Sequence, residues 1–382
     1  MAIDALRGLV IAGIFLYHSV SRFNFPSTYA TSASILLSLD VFIEKAAYFL
    51  LFGKMFGIFS FLFGYTYQLQ NGVPRGPGKA RIIWRMILLL LFGLFNSLFI
   101  PMGDILVFYA IIGILITPLF FFNTSMLFLL AVILLLQPFE LYRTFVSFAN
   151  PSLSFSSAYH SGLQNEINQT LVNGNACEII KANLVKGVPA SLLWNFQSGR
   201  ITQIPGLFIL GIVAARKGIY HARLFGRKYW LKMSLIFGSA IAIVWLVKIS
   251  AVSNRGSSVC NDSLNATLSL WINTLSTMLI VSVFTLLYYI NRGRLFHPLS
   301  YLGKASLTNY IGQSVMGALF FAPFGLNLAN TTGIAFSVLL TIILLLCQIL
   351  FSRAWLGKHK KGPIETLWHY LTWIGKKTTK DS

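Results

Sequence analysis

The sequence predicts an all-α, polytopic integral membrane protein: a helical bundle of about ten transmembrane helices, with N- and C-termini cytoplasmic. Three observations predict it. Hydrophobic residues make up 56% of the 382 and charged residues only 10%, against about 25% charged in an ordinary soluble domain. The apolar residues fall in runs of roughly 20, the length that crosses a bilayer. The basic residues gather in the short connections between those runs, where they set topology and meet anionic lipid. The net charge of +20 is therefore a membrane signal and not one for nucleic acid. With a mean hydropathy of +0.71, residues 1–382 read as a single transmembrane domain with no room for a large soluble one. The 33 phenylalanines suit lipid-facing and interfacial positions. Three cysteines are too few for a disulfide scaffold or a thiolate metal cluster, so no metal is expected.

Taken in order, the first span is roughly Ile3 to Ser21. It has an acid at its start and no small-residue cleavage site, so it reads as a retained helix and not a signal peptide. A polar connection through Arg22, Pro26 and Asp40 leads to an amphipathic stretch, Phe42 to Leu51, expected at the surface or as a re-entrant piece. The second span is roughly Met55 to Leu69, and a Gly/Pro-rich connection containing Arg75, Lys79 and Arg81 leads to the third, Ile82 to Phe99. The turn Pro101-Met-Gly103-Asp104 opens the fourth, which runs to about Phe121, and the fifth covers Met126 to Phe148. Residues 150–201 form the one long polar segment, with His160, Glu166, Cys177 and Glu178. The sixth span is short, Ile204 to Ala215; the seventh, Leu231 to Val252, follows a basic connection. A second polar segment holds Arg255, Cys260 and Asp262 before the eighth span, Leu268 to Ile290. The ninth, Ala305 to Phe321, and the tenth, Gly333 to Phe351, precede a basic tail, residues 353–382.

Ten spans put the basic connections after spans two, six and eight on one side with the tail and the N-terminus, which the positive-inside rule makes the cytoplasm. Both polar segments then lie outside. A Cys177–Cys260 disulfide would suit that compartment; two free thiols fit equally well. Cys347 sits in an apolar run and reads as a core or lipid-facing residue.

The first span carries three polar interruptions, Asp4, Arg7 and His18. Ionisable groups at membrane depth are costly and are functional candidates by default. Arg7 and His18 are eleven positions apart, about three helical turns, so they project from one face roughly 16 Å apart along the axis. Asp4 lies a turn from Arg7 and can pair with it. Asp4-Ala-Leu-Arg7-Gly8, Gly53-Lys-Met-Phe-Gly-Ile-Phe-Ser60-Phe-Leu-Phe-Gly64, Gly103-Asp104-Ile-Leu-Val-Phe-Tyr109 and Leu307-Thr308-Asn309-Tyr310-Ile-Gly-Gln313-Ser314, with the late Lys361-Gly362-Pro363-Ile-Glu365, together resemble the YeiB-like family of bacterial membrane proteins. Because the chain begins almost at the first of these, the resemblance implies a few further residues upstream. The family is similar to heparan-glucosaminide acetyltransferases and, more distantly, to membrane acyltransferases marked by an Arg and a His separated by ten residues, a pattern that Arg7 and His18 match. YeiB-like and glucosaminide proteins usually carry Asn where this chain has His18, so the histidine role is implied by the more distant relatives.

The resemblance implies transfer of an acyl group, acetyl in the first instance, from cytoplasmic acyl-CoA to an extracytoplasmic glycan or glycolipid, in a multi-pass protein of the bacterial inner membrane; a homodimer is one candidate assembly, and the sequence does not set the oligomeric state. The residues fit that chemistry. A cation at the inner mouth suits the donor's phosphates, and a neutral imidazole suits a general base. His18 is then the base and Asp104 its assistant, with Asp4 and Arg7 on the donor side. Lys54, in a glycine-flanked break at Gly53 and Gly57, and the polar cluster Thr308, Asn309, Tyr310 and Gln313 are donor-cavity candidates. Asn96 and Ser97 have the same character, and Arg200 with Gln203 could meet the acceptor. Each residue also has a plainer reading. His18 could be a hydrogen-bonded packing residue and Arg7 a snorkelling anchor. Asp104 could be a helix N-cap, Lys54 a headgroup anchor, and the ninth-span cluster interhelical glue. A transporter or lipid flippase would use the same buried groups to line a path, and a scaffold or sensor would use His18 as a proton switch. No phosphate-cradling glycine loop, zinc spacing or nucleophile elbow is present.

Overall fold

The computed structural model describes residues 2–21, 23, 25, 34–71, 78–101, 104–150, 158–220, 225–253 and 258–374. Gly103, Arg22, Pro26, Arg75 and Arg255, and the side chains of His160 and Cys260, fall outside the described residues. The helices are α1 (Ala2–Val20), α2 (Ser34–Leu50), α3 (Lys54–Asn71), α4 (Lys79–Ser97), α5 (Ile105–Ile116), α6 (Thr124–Leu135), α7 (Pro138–Ala149), α8 (Ala158–Asn173), α9 (Ala176–Ala182) and α10 (Val188–Gln197). They continue with α11 (Arg200–Arg216), α12 (Arg227–Ser253), α13 (Ser258–Ile290), α14 (His297–Lys304), α15 (Ser306–Phe321), α16 (Leu328–Thr331), α17 (Ile334–Lys358) and α18 (Pro363–Trp373). The protein is an all-α, polytopic membrane bundle, with no strand among the described residues.

All ten stretches expected to span are helical. Among the described residues seven segments are long and apolar enough to cross a bilayer, and an eighth follows if the bent pair Ala176–Gln197 and Arg200–Arg216 counts as one span. The fourth expected span is a shorter apolar helix, Ile105–Phe121. The ninth, α15, is polar enough that its burial inside the bundle, and not its hydropathy, defines it. The Phe42–Leu51 stretch is not a separate surface or re-entrant piece. It belongs to one apolar segment, Leu37–Gln70. Gly53, at φ +75°, carries the chain through the break between α2 and α3. The Lys54 ammonium donates to the Phe49 carbonyl across that break at 2.6 Å, filling an acceptor the interruption leaves open.

Two glycine contacts set the packing around α1 and α3. A Cβ on Gly8 would lie 1.8 Å from the Leu299 carbonyl oxygen, and one on Gly303 would lie 1.8 Å from that of Asp4. The α1 and α14 backbones therefore touch, the small-residue device of membrane helices. Gly64 against Phe208 O and Gly211 against Phe61 O do the same for α3 and α11.

The ends of the bundle differ in charge. At one, Trp368 Nε1 donates to the Arg85 carbonyl and Trp84 Nε1 to that of Leu371, docking α18 on α4. Arg216 donates to the Phe120 and Phe122 carbonyls, and Arg227 to that of Tyr289. Glu365 caps α15 at this basic end: its Oε1 accepts from the Leu307 and Thr308 amides, and its Oε2 from the Thr308 hydroxyl. At the other end Asp40 of α2 accepts from the Ile334 and Ala335 amides that open α17. There α8–α10 pack over the end of α4, with Asn183 Nδ2 donating to the Leu98 carbonyl.

Candidate functional site

A cavity of about 360 Å³ lies at the end opposite the basic rim. It is lined by Tyr17 and His18 from the last turn of α1, Asp104 at the head of α5, Trp194 from α10, Arg200 at the head of α11 and Tyr310 from α15. His18 and Asp104, the two expected catalytic residues, thus share one cavity.

The His18 ring stacks on Phe23 with 5.4 Å between centroids, and Phe23 stacks on Phe321 at 5.6 Å. Nδ1 is buried and has no hydrogen-bond partner among the described residues. Rings, then, set the orientation of the imidazole, and Asp104 is not its partner. The Asp104 Oδ1 accepts from the Tyr310 hydroxyl at 2.5 Å, while Oδ2 is buried without a partner. Asp104 occupies the N-cap position of α5 but makes no side-chain capping bond. The turn places the carboxyl in the cavity wall. Tyr109, from the same sequence motif, donates to the Phe56 carbonyl and accepts from Ser60 at 3.1 Å, fixing α5 against α3.

Arg200 enters through backbone geometry. Gly199 takes φ +70°, ending α10 and starting α11, and the two helical segments meet at 80°. Arg200 is 4% exposed, and its guanidinium packs among rings. It lies 4.1 Å from the Trp194 ring centroid, 4.8 Å from Phe56 and 5.5 Å from Phe52. Trp194 and Tyr17 had no individual signal in the sequence, because the polar run 150–201 has no periodicity that places it over the cavity. Ser198-Gly199 just before an apolar run was the available sign of the corner. Gln203, one turn on, turns away and donates to Thr274 at 2.9 Å.

A second cavity, about 180 Å³, runs in from the basic end. Arg7, Lys304, Glu365 and Trp368 stand at its mouth, and Leu106 and Tyr310 lie further in. Arg7 Nη1 pairs with Asp4 Oδ1 at 3.4 Å. Tyr310 belongs to the walls of both cavities and stands between them. The rim of this mouth is electropositive. Burial, helped by Arg85, lowers the pKa of the Lys361 ammonium; burial, then Lys361 and Arg85, lower that of His369.

The other expected donor residues are engaged elsewhere. Lys54 holds the α2–α3 break. Thr308 also accepts from the Ile364 amide at 3.0 Å, so it ties α15 to α18. Asn309 Nδ2 donates to Ser352 at 2.9 Å and to the Leu302 carbonyl, and Gln313 donates to Gln348 at 3.0 Å, both across to α17 or α14. Of the ninth-span cluster, Tyr310 alone lines either cavity. Ser97 bonds its own helix at Gly93, and Asn96 is buried beside Asp104. Cys177 and Cys347 are free thiols, so Cys177 is not in a disulfide. No group of His, Cys, Asp and Glu among the described residues forms a metal site. A larger groove of about 650 Å³ between α6, α11, α12 and α13 has neither carboxylate nor imidazole in its lining.

Fold and cavities together define a multi-pass membrane protein with a polar site in its interior. Residues 214–375 match the family described as "Protein of unknown function (DUF418)". Over nearly its whole length the chain is similar to YxaH of Bacillus subtilis, with 27% identity covering 98% of this chain and 96% of YxaH. It is also similar to YeiB of Escherichia coli, with 27% identity covering 97% and 96%. The partial family match and the near full-length similarity to both proteins support a YeiB-like family for the chain.

Proposed function

We propose that the protein is an acyltransferase of the bacterial inner membrane. It moves an acyl group, acetyl in the first instance, from cytoplasmic acyl-CoA to an extracytoplasmic glycan or glycolipid. One observation carries the reading: a cation-rimmed cavity and a His18–Asp104 cavity approach from opposite ends and share Tyr310 as their wall. Positive charge makes the Arg7 end cytoplasmic. Lys304 and Arg7 suit the donor's phosphates. At about 180 Å³ the inner cavity is below the roughly 300 Å³ of ordinary ligand pockets, so the donor arm enters by parting its apolar lining. His18 takes the proton of the acceptor hydroxyl or amine. The acceptor attacks the thioester carbon, the tetrahedral adduct collapses, and the departing CoA thiolate takes the proton from imidazolium. Asp104 and Tyr310 bracket the reacting carbonyl, and the protein works among membrane lipids.

The same end-to-end cavities suit a transporter or flippase with Tyr310 as its gate. Two assays separate the readings. Purified protein is given acetyl-CoA with a glycan acceptor, and free CoA is followed with a thiol reagent; sealed vesicles report substrate flux. Release of CoA that is lost in His18→Ala supports transfer. Flux without CoA release overturns it.

A further inference from the structure

We propose that Arg200 is an anion-binding residue in the outer cavity, and that its ligand is the phosphate of a membrane-borne acceptor. The proposal deepens the reading above and rests on it for the word acceptor.

The argument starts from an electrostatic imbalance. Arg200 is buried, and a buried guanidinium normally sits against a carboxylate. Among the described residues no carboxylate pairs with it. Glu140 lies beside Gly199 at the corner, and Arg143 already holds it at 2.9 Å. Asp104, across the cavity, is bonded to Tyr310. Trp194, Phe56 and Phe52 offer Arg200 their rings. Aromatic faces stabilise the cation through the plane of the guanidinium. They leave its edge, where the N–H bonds point, unused. Nη1 is buried with no hydrogen-bond partner among the described residues.

Three features make that edge suited to an oxyanion. The planar fork of Arg matches two oxygens of a phosphate. Arg200 is the first residue of α11, whose 17 residues place free amides and the positive end of a helix beside it. The cavity is large enough to admit a headgroup. A fourth feature says where the anion comes from. Tyr48 lines the cavity and is 43% exposed on the outside, next to Phe49 and Leu50, which are 65% and 58% exposed. That flank is apolar and faces the bilayer, so the ligand arrives from the membrane with its phosphate leading.

The test uses the full chain in nanodiscs. Thermal unfolding is compared in phosphatidylcholine and in phosphatidylcholine with added phosphatidylglycerol, for wild type, Arg200→Lys and Arg200→Gln. Glycerol 1-phosphate and glycerol are added separately to the phosphatidylcholine discs. In parallel, phenylglyoxal modification of Arg200 in wild type is followed by peptide mass spectrometry, which needs no variant to fold. Phosphatidylglycerol should raise the unfolding temperature of wild type and slow modification of Arg200 at least tenfold. Arg200→Gln should lose the shift, and Arg200→Lys should keep part of it. An equal shift in all three proteins, or unprotected Arg200, overturns the proposal. A response to glycerol 1-phosphate with none to the lipid overturns the membrane source. These are binding measurements, so they fail separately from the transfer reading. Anion binding without CoA release from any acceptor removes the transferase. CoA release with a phosphate-bearing acceptor, unchanged in Arg200→Gln, removes the anion subsite.

Discussion

The Tyr310 hydroxyl donates to Asp104 Oδ1 at 2.5 Å, joining residues 206 positions apart in the wall between two cavities. Removing the hydroxyl in Tyr310→Phe takes from Oδ1 its hydrogen bond to α15. A hydrogen bond to a carboxylate contributes about 1.5–3 kcal/mol. CoA release should therefore fall by roughly 10- to 150-fold, with unfolding stability reduced within the same range, as read from steady-state kinetics and thermal melts of the purified protein.

Among the described residues His18 has no carboxylate partner, and the Phe23 and Tyr17 rings lie beside it. Its replacement by Ala removes a base without stranding a charge. CoA release should drop by about 10²–10⁴-fold, while acetyl-CoA still raises the melting temperature, since a ligand that binds the folded form stabilises it. Loss of the donor shift together with activity would make His18 a packing residue.

Gly8 and Gly303 let two backbones touch. Gly8→Ala sets a methyl into the Leu299 carbonyl, which no rotamer change relieves. A loss of about 1–3 kcal/mol or more is expected, seen as a lower melting temperature and reduced yield. Gly238→Ala on α12, where nothing lies within 4 Å, should be neutral or gain about 0.4–1 kcal/mol.

The inner rim should act on donor affinity and not on chemistry. Lys361→Gln should raise the KM for acetyl-CoA several-fold with kcat unchanged. The wild-type KM should rise with ionic strength, because exposed charges are screened beyond a Debye length of about 8–10 Å at physiological salt. A kcat effect would place Lys361 closer to the reacting atoms than the structure does.

Cys177 is an exposed free thiol in α9. In a Cys260→Ser, Cys347→Ser background, a membrane-impermeant maleimide should label it from the extracytoplasmic side of intact cells. Labelling only after the membrane is opened would invert the orientation.

The sequence made the spans readable because their apolar runs are long and their connections basic. It made α1 readable because charge in such a run is costly, and Arg7 and His18 do line the two cavities. What it could not show is which polar groups neighbouring helices would absorb. Thr308, Asn309 and Gln313 look alike in the sequence to Tyr310, yet Glu365, Ser352 and Gln348 claim them. Those partners lie 35 to 57 residues away. Arg200 was visible as a cation beside a break; the three rings that cage it come from two separate stretches of chain. The Phe42–Leu51 piece was misplaced because its amphipathic pattern suits a surface helix, and only the passage through Gly53 joins it to α3.

Helix α15 holds Tyr310 and Phe321 eleven residues apart, about three turns, so both project from nearly the same side. One presses on Asp104 and the other carries the ring stack that seats His18. The foot of the same helix is pinned by Glu365. Turning α15 about that pivot to withdraw the tyrosine also shifts the imidazole, so the partition and the base share a single degree of freedom. On the proposed reading, a substrate that parts Tyr310 from Asp104 would re-aim His18 in the same movement.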